Sequence, residues 1–196
     1  MKIKKNINLE VIEEDIIEKI NMNFYNLCLN EGNIEIIKKY YKENKGKINI
    51  HKNNNKLFSD MCYLNISLNI IKFVYNETKY EDWIFNIEHL NDIFLNEDMI
   101  CFLARYGYLT IGKYIYEKDY KKIDLYQKNN EPIVLACQEN KYEFAQWLYS
   151  LEPKMDIFND NIIIRNACYY KHIEIIEWYS IILSESNKSK LYSRNK

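Results

Sequence analysis

Histidine, cysteine and paired carboxylates are the side chains from which hydrolytic, redox or metal chemistry is assembled, and this 196-residue chain keeps them apart. Its three histidines, His51, His89 and His172, are scattered. Zinc needs close-spaced Cys or His pairs, and no CxxC, CxxH or HxxxH occurs. The acidic run Glu13, Glu14, Asp15 shares an amphipathic segment with Val11, Ile12, Ile16, Ile17 and Ile20, and reads as the solvated face of a helix. A nucleophile beside a base, a carboxylate pair in a cleft, or a Gly-rich phosphate cradle would each mark an enzyme, and none appears. The expectation is a protein without catalytic residues, metal or cofactor.

Composition sets further bounds. With 47% apolar and 15% aromatic residues the chain has ample material for a core. A net charge of −1 with interspersed signs argues against nucleic acid, whose phosphates draw affinity from concentrated Lys and Arg. Met1–Lys5 reads as a solvated end. No apolar stretch approaches the roughly 18 residues of a membrane span and no signal-type segment follows Met1, so the expected location is intracellular, in the cytoplasm, with no membrane partner. Heavy use of Asn, Ile, Lys and Tyr, all with AT-rich codons, cautions against reading every Asn cluster as function.

The elements that must position these side chains are repeated. Ile34, Ile37, Tyr40 and Tyr41 share their spacing with Leu68, Ile71, Val74 and Tyr75; Leu109, Gly112, Ile115 and Tyr116; Tyr142, Ala145, Leu148 and Tyr149; and Ile173, Ile176, Tyr179 and Ser180. Offsets of three, six and seven place each set on one face of a helix. Taking Cys28, Cys62, Leu103, Ala136 and Ala167 as register, the steps are 34, 41, 33 and 31 residues, so that only the second carries an insertion. A period in this range marks units that bury their apolar faces only by stacking. The predicted fold class is therefore all-α, with about five helix-turn-helix units. In this register Cys28 and Cys62 share one repeat position and Cys137 and Cys168 the next, all on buried sides of first helices. Packed helices lie about 8–10 Å apart, whereas disulfides want Cα atoms within about 7 Å, so free thiols are expected.

Polar residues punctuate each first helix: Asn53–Asn55, Asn96–Asp98, Asn129–Glu131 and Asn159–Asn161, with Pro132 suited to a first helical position. Between paired helices, Gly32 and Gly107 suit a positive-φ turn, Asn140 is tolerable there and Lys171 is poor, which marks the last unit as degenerate. Apolar-polar-apolar triplets, Ile48–Ile50, Ile123–Leu125 and Met155–Ile157, suit short β-like fingers.

Glu131, Pro132, Ile133, Val134, Leu135, Ala136 resembles the Thr-Pro-Leu-His-x-Ala opening of an ankyrin repeat, and the plan of finger, helix, tight turn and helix is similar over about residues 24–183. Ala-Cys near first-helix ends, Lys171-His172-Ile173-Glu174, Trp147-Leu148-Tyr149-Ser150 and the run from Pro153 to Ile157 resemble the ankyrin variety of giant DNA viruses of amoebae. Departures include scarce Gly and Ile66 where Gly is expected. The resemblance implies an ankyrin-repeat solenoid: a cap segment at 1–23, the array at 24–183 with an insertion at about 77–88, and a polar tail at 184–196. It also implies a noncatalytic module that binds a partner protein, one of the host, through fingertips and inner helices; the alternative is a self-associating scaffold or virion component. A monomer is expected.

Mapped by repeat position, the surface so implied includes Asn53, Tyr126, Phe158 and Arg165, with Phe94, Tyr126 and Phe158 as aromatic anchors and Arg165 able to pair a carboxylate. Trp83 lies in the insertion. There Trp83, Ile84, Ile87 and Leu90 have helical spacing, so the choice is an extra helical turn or a partner-specific protrusion. Trp147 and Trp178 occupy a position also filled by Lys39, Phe73 and Tyr114, which suits half-buried packing between outer helices. Replacing Ile37, Ile71 or Ile176 with Ala is expected to lower the unfolding free energy by about 2–5 kcal/mol in urea titrations.

Overall fold

A computed structural model describes the backbone of residues 2–79, 82–89, 93–151, 155, 157–158 and 161–194, and side chains within these ranges except at 2–10, 86–97 and 188–194. The chain is mostly helical and divides into two compact units, 1–96 and 97–196. The first unit holds α1 (Lys2–Asn30), α2 (Ile34–Asn44), α3 (Lys52–Tyr63) and α4 (Leu68–Asn76), followed by strand β1 (Ile84–His89). Strand β2 (Ile93–Asp98) pairs with β1 in a two-stranded sheet and carries the chain into the second unit. That unit consists of α5 (Met99–Tyr106), α6 (Leu109–Asp119), a 3-10 turn at Tyr120–Lys122, α7 (Gln127–Gln138), α8 (Tyr142–Leu151), α9 (Ile162–Tyr170) and α10 (Ile173–Arg194). Among the described residues no helix is long and apolar enough to cross a membrane.

Four helix pairs close with the same backbone turn. Asn65, Gly107, Asn140 and Lys171 all adopt positive φ, of 53°, 76°, 55° and 59°. In each, the N–H of the next residue bonds back across the turn: Ile66 to the Met61 carbonyl at 2.9 Å, Tyr108 to Leu103 at 3.0 Å, Lys141 to Ala136 at 2.7 Å, and His172 to Ala167 at 2.9 Å. This is the Schellman closure, which satisfies a carbonyl at the helix end while reversing the chain. It corrects three expectations. Asn65, one residue before Ile66, takes the turn position in the second pair, so the structural register aligns Met61 with Leu103 and Cys62 with Cys137. Lys171 completes the closure as fully as Gly107, and the last pair is not degenerate there. Gly32, by contrast, does not adopt positive φ; α2 starts instead from Asn33, whose side chain accepts from the Glu35 N–H at 3.0 Å.

The core of the first unit gathers Phe24 and Cys28 of α1, Ile37 and Tyr41 of α2, Leu57, Phe58, Met61 and Cys62 of α3, and Ile70, Ile71, Val74 and Tyr75 of α4. In the second unit every residue of α5 from Met99 to Arg105 is buried, Arg105 included, because its guanidinium reaches the Glu139 carboxylate at 3.1 Å. Gly112 on α6 lets the Phe144 ring approach so closely that an added Cβ would lie 2.8 Å from it. Trp147 is half-buried, edge-on to Phe144 and Tyr116, whereas Trp178 is buried between Tyr142 and Tyr149. None of the five cysteines is in a disulfide, and burial pushes the Cys28 and Cys137 thiols up to about 12 and raises that of Cys62. Cys168 is exposed, contrary to its expected place on a buried face.

Segment boundaries also differ. The cap expected to end at residue 23 is continuous with α1, and helix α10 continues through the segment expected to be a tail. Val11, Ile12 and Ile16 on α1 are about half exposed, so this stretch does not bury the apolar face assigned to it. The triplets at 48–50 and 123–125 are non-strand connections; that at 155–157 includes Asp156, which lies outside the described residues, as do Asn159 and Asp160. Strand β1 lies largely in the insertion instead. Trp83 and Phe85 are buried while Ile84 between them is exposed, and this period of two is strand, not helical, alternation.

Of the two neighbouring isoleucines in α10, Ile175 is fully enclosed while Ile176 is only partly covered. Ile175→Ala is therefore expected to cost about 2–5 kcal/mol and Ile176→Ala markedly less. Gly112→Ala should destabilise by about 1–3 kcal/mol through overpacking against Phe144, although alanine favours helix. Equal losses for the two isoleucines, or a more stable Gly112→Ala protein in urea titrations, would contradict this packing.

Candidate functional site

In the first unit, α1, the loop after α2 and the start of α3 enclose a cavity of about 180 Å³. Asn21 builds its wall. Its amide nitrogen donates to the carbonyls of Ile17 at 2.8 Å and Lys47 at 2.9 Å, and its Oδ1 accepts from the Asn49 N–H at 2.7 Å. The loop is thereby fastened to α1. Asn49 in turn accepts from the His51 N–H at 3.0 Å, an Asx turn that sets up the entry to α3.

That entry is left-handed over three residues, Asn53, Asn54 and Asn55, with φ of 54°, 59° and 60°. Asparagine tolerates this region better than most residues. Asn55 is buried: its Oδ1 accepts from His51 Nδ1 at 2.6 Å and its Nδ2 donates to the Ile84 carbonyl at 2.7 Å. Because a side-chain oxygen only accepts, His51 carries its proton on Nδ1 in this arrangement. One buried amide thus ties the start of α3 to β1. Beside it, the His51 ring meets Trp83 edge-on at 4.5 Å, and Trp83 packs on Phe58, Tyr75 and Phe85.

Phe24, Ile50 and Leu57 form the buried floor of the cavity, and Met22 stands exposed at its mouth. Lys52 pairs with Glu18 at 2.9 Å and Lys56 with Asp60 at 2.8 Å. The Tyr25 hydroxyl also donates to Asp60. Burial raises the Tyr25 pKa, with the Asp60 hydrogen bond and charge adding to it, while the same carboxylate raises that of Lys56. Tyr25 therefore stays a phenol and Lys56 an ammonium throughout the neutral range. The arrangement offers an apolar floor beneath a rim of amides and of lysines paired with carboxylates, Glu18 among them.

In the second unit the loops before first helices carry a polar network. Asp98 caps α5 by accepting from the Cys101 N–H at 3.0 Å, and its other oxygen accepts from Gln127 at 2.6 Å. Glu131 meets Lys128 at 3.2 Å and Cys101 Sγ at 3.5 Å. Burial works against the Lys128 ammonium, but the Glu131 hydrogen bond and charge outweigh it, and its pKa is raised. Lys128, Asn129 and Asn130 repeat the left-handed entry of Asn53–Asn55. His172 Nδ1 donates to the Cys137 carbonyl at 3.2 Å and so joins successive turns.

The residues singled out by sequence end in different places. Asn53 is exposed and lines the cavity. Tyr126 is 49% exposed, its N–H held by Asp124 at 2.9 Å, and Arg165 is exposed on α9. Phe158 is half-buried against Tyr179, ring centres 5.1 Å apart, and so belongs partly to packing. Trp83, at 1% exposure, is core and offers no surface to a partner. The side chain of Phe94, in β2, lies outside the described residues. The contribution of α1, through Glu18, Asn21, Met22 and Tyr25, was not read from sequence; the one signal for it was Asn21, Tyr25 and Cys28 recurring on one helix face. Among the described residues no three His, Cys, Asp or Glu side chains converge as metal ligands.

No family model, curated protein or solved structure matches the chain.

Asn55→Ala removes both buried hydrogen bonds and places a Cβ residue without local polar support in the left-handed region, at an expected cost of about 2–4 kcal/mol. Asn55→Gly keeps the backbone and should recover about 1 kcal/mol of that. Matching urea midpoints for Ala, Gly and wild type would contradict the assigned role.

Proposed function

We propose that the chain is a noncatalytic protein-interaction module of the ankyrin kind, with a host protein as the expected partner. The observation that carries this reading is the recurring helix pair: four pairs share one hydrogen-bonded closure, and two first helices open through the same left-handed run. Units of this kind bury their apolar faces against neighbours and leave connecting loops and exposed helix sides for recognition. Tyr126 and Arg165 are exposed side chains of types enriched in binding hot spots. The low net charge is consistent with a protein partner rather than nucleic acid.

One observation favours a second reading, self-association into a scaffold. Tyr169, Tyr170, Ile173, Ile181 and Leu183 on α9 and α10 are exposed, and apolar surface of this kind serves contacts between copies.

Affinity capture from a host-cell lysate, with the tagged chain beside a Tyr126→Ala/Arg165→Ala variant, separates the two. The interaction reading expects a protein retained by the wild type and reduced about tenfold or more in the variant, with unchanged melting. Capture of only the chain itself, together with a molar mass rising with concentration in sedimentation, would transfer support to the scaffold reading.

A further inference from the structure

We infer that the cavity between α1 and α3 receives the C-terminal residue of a partner polypeptide, its leucine-like side chain on the floor and its α-carboxylate at Lys52. The inference rests on the interaction reading and names the chemistry recognised.

Size comes first. A cavity of about 180 Å³ is below the usual range for a drug-sized ligand and matches one large aliphatic side chain. Its floor of Phe24, Ile50 and Leu57 carries no polar side-chain group, so the buried portion of the occupant is apolar. The rim is charged. Lys52 and Lys56 flank the left-handed run Asn53–Asn55, and each already holds a carboxylate in hydrogen-bond geometry, Glu18 at 2.9 Å and Asp60 at 2.8 Å. The two pairs are not equivalent. Asp60 is also held by Tyr25 and its side chain is 24% exposed, so that pair is retained. Glu18 is 68% exposed and opposite a Lys52 that is itself 39% exposed, a surface pair of the kind that contributes little and is readily exchanged. Lys52 is the cation that a new carboxylate captures.

A C-terminal residue meets both demands from one Cα, because side chain and carboxylate diverge from the same atom and Lys52 lines the same cavity as Phe24, Ile50 and Leu57. Asn53, exposed at the mouth, offers its amide to the preceding peptide group.

The test uses the full ¹⁵N-labelled chain and three probes: acetyl-Gly-Ser-Gly-Leu as the free acid, the same peptide as its C-terminal amide, and acetyl-Gly-Leu-Asp-Gly amide, whose carboxylate is internal. Backbone amides of Asn21, Asn53 and Lys56 report occupancy. Saturable shifts are expected at all three, with the free acid binding at least threefold more tightly than either amide. That preference should disappear in Lys52→Gln, and Met22→Trp, which fills the mouth, should remove the shifts while far-UV circular dichroism stays unchanged. Equal affinity for acid and amide, tightest binding by the internal aspartate probe, or no saturable shift at these amides would each overturn the inference. Partner capture is read separately. Retention of a partner by the wild type with no probe binding would sink this inference alone, and carboxylate-selective probe binding with no partner retained would sink the interaction reading alone.

Discussion

The closure between paired helices is the constraint on which the rest depends. A right-handed helix can reverse into an antiparallel neighbour within two residues only if one residue turns left-handed, and for an L-amino acid that conformation costs about 1–2 kcal/mol. Glycine avoids the cost, yet it occupies only one of four such positions, Gly107; the others are Asn65, Asn140 and Lys171. The cost is offset by what the reversal allows. Each closure satisfies a helix-end carbonyl and brings two apolar stripes together, as where α3 with buried Met61 and Cys62 meets α4 with buried Ile71 and Val74, or α7 with Ala136 and Cys137 meets α8 with Ala145 and Leu148. Burying one aliphatic side chain contributes about 1.5–3 kcal/mol, so two such contacts outweigh a strained turn.

Left-handed backbone recurs where the candidate site is built. At Asn53–Asn55 and again at Lys128–Asn130 three residues in this region deliver the chain into a first helix. In the first unit the consequence is specific: Asn55 is turned inward to bridge His51 and the Ile84 carbonyl, Asn53 is turned outward, and Lys52 and Lys56 are left on the side facing α1. A cavity with an apolar floor and a rim of amides and paired lysines results from a backbone choice made by three consecutive asparagines.

Much of this was legible. The three-six-seven spacing located every second helix, and the buried Ile37, Ile71, Ile115 and Leu148 lie where it put them. The rest was obscured for identifiable reasons. In the second pair Asn65 and Ile66 compete for the turn, and a register taken from Cys62 picks Ile66; the hydrogen bond from Ile66 to Met61 decides for Asn65. Lys171 was discounted on propensity, but α9 and α10 pack on each other with Ala167 and Ile175 buried on either side of it, and that burial overrides a local preference. Trp83, Ile84, Ile87 and Leu90 fit a helical stripe as well as Trp83 and Phe85 fit a strand, and an apolar run this short is ambiguous by periodicity alone. In the candidate site, Asn53, Asn54 and Asn55 are identical in sequence and differ in everything else. Only tertiary contact with β1 distinguishes the buried one from its exposed neighbours.

The melting temperature of Lys171→Gly against the wild type tests the account most directly, because the sign alone decides. With Lys171 left-handed at the closure of α9 and α10, glycine removes the Cβ penalty and should stabilise by about 1 kcal/mol, raising the melting temperature. Were this residue in right-handed helical backbone, glycine would instead destabilise by about 1 kcal/mol and lower it. A lower melting temperature would mean that the shared closure does not extend to the last helix pair, and would contradict the repeat on which the account stands.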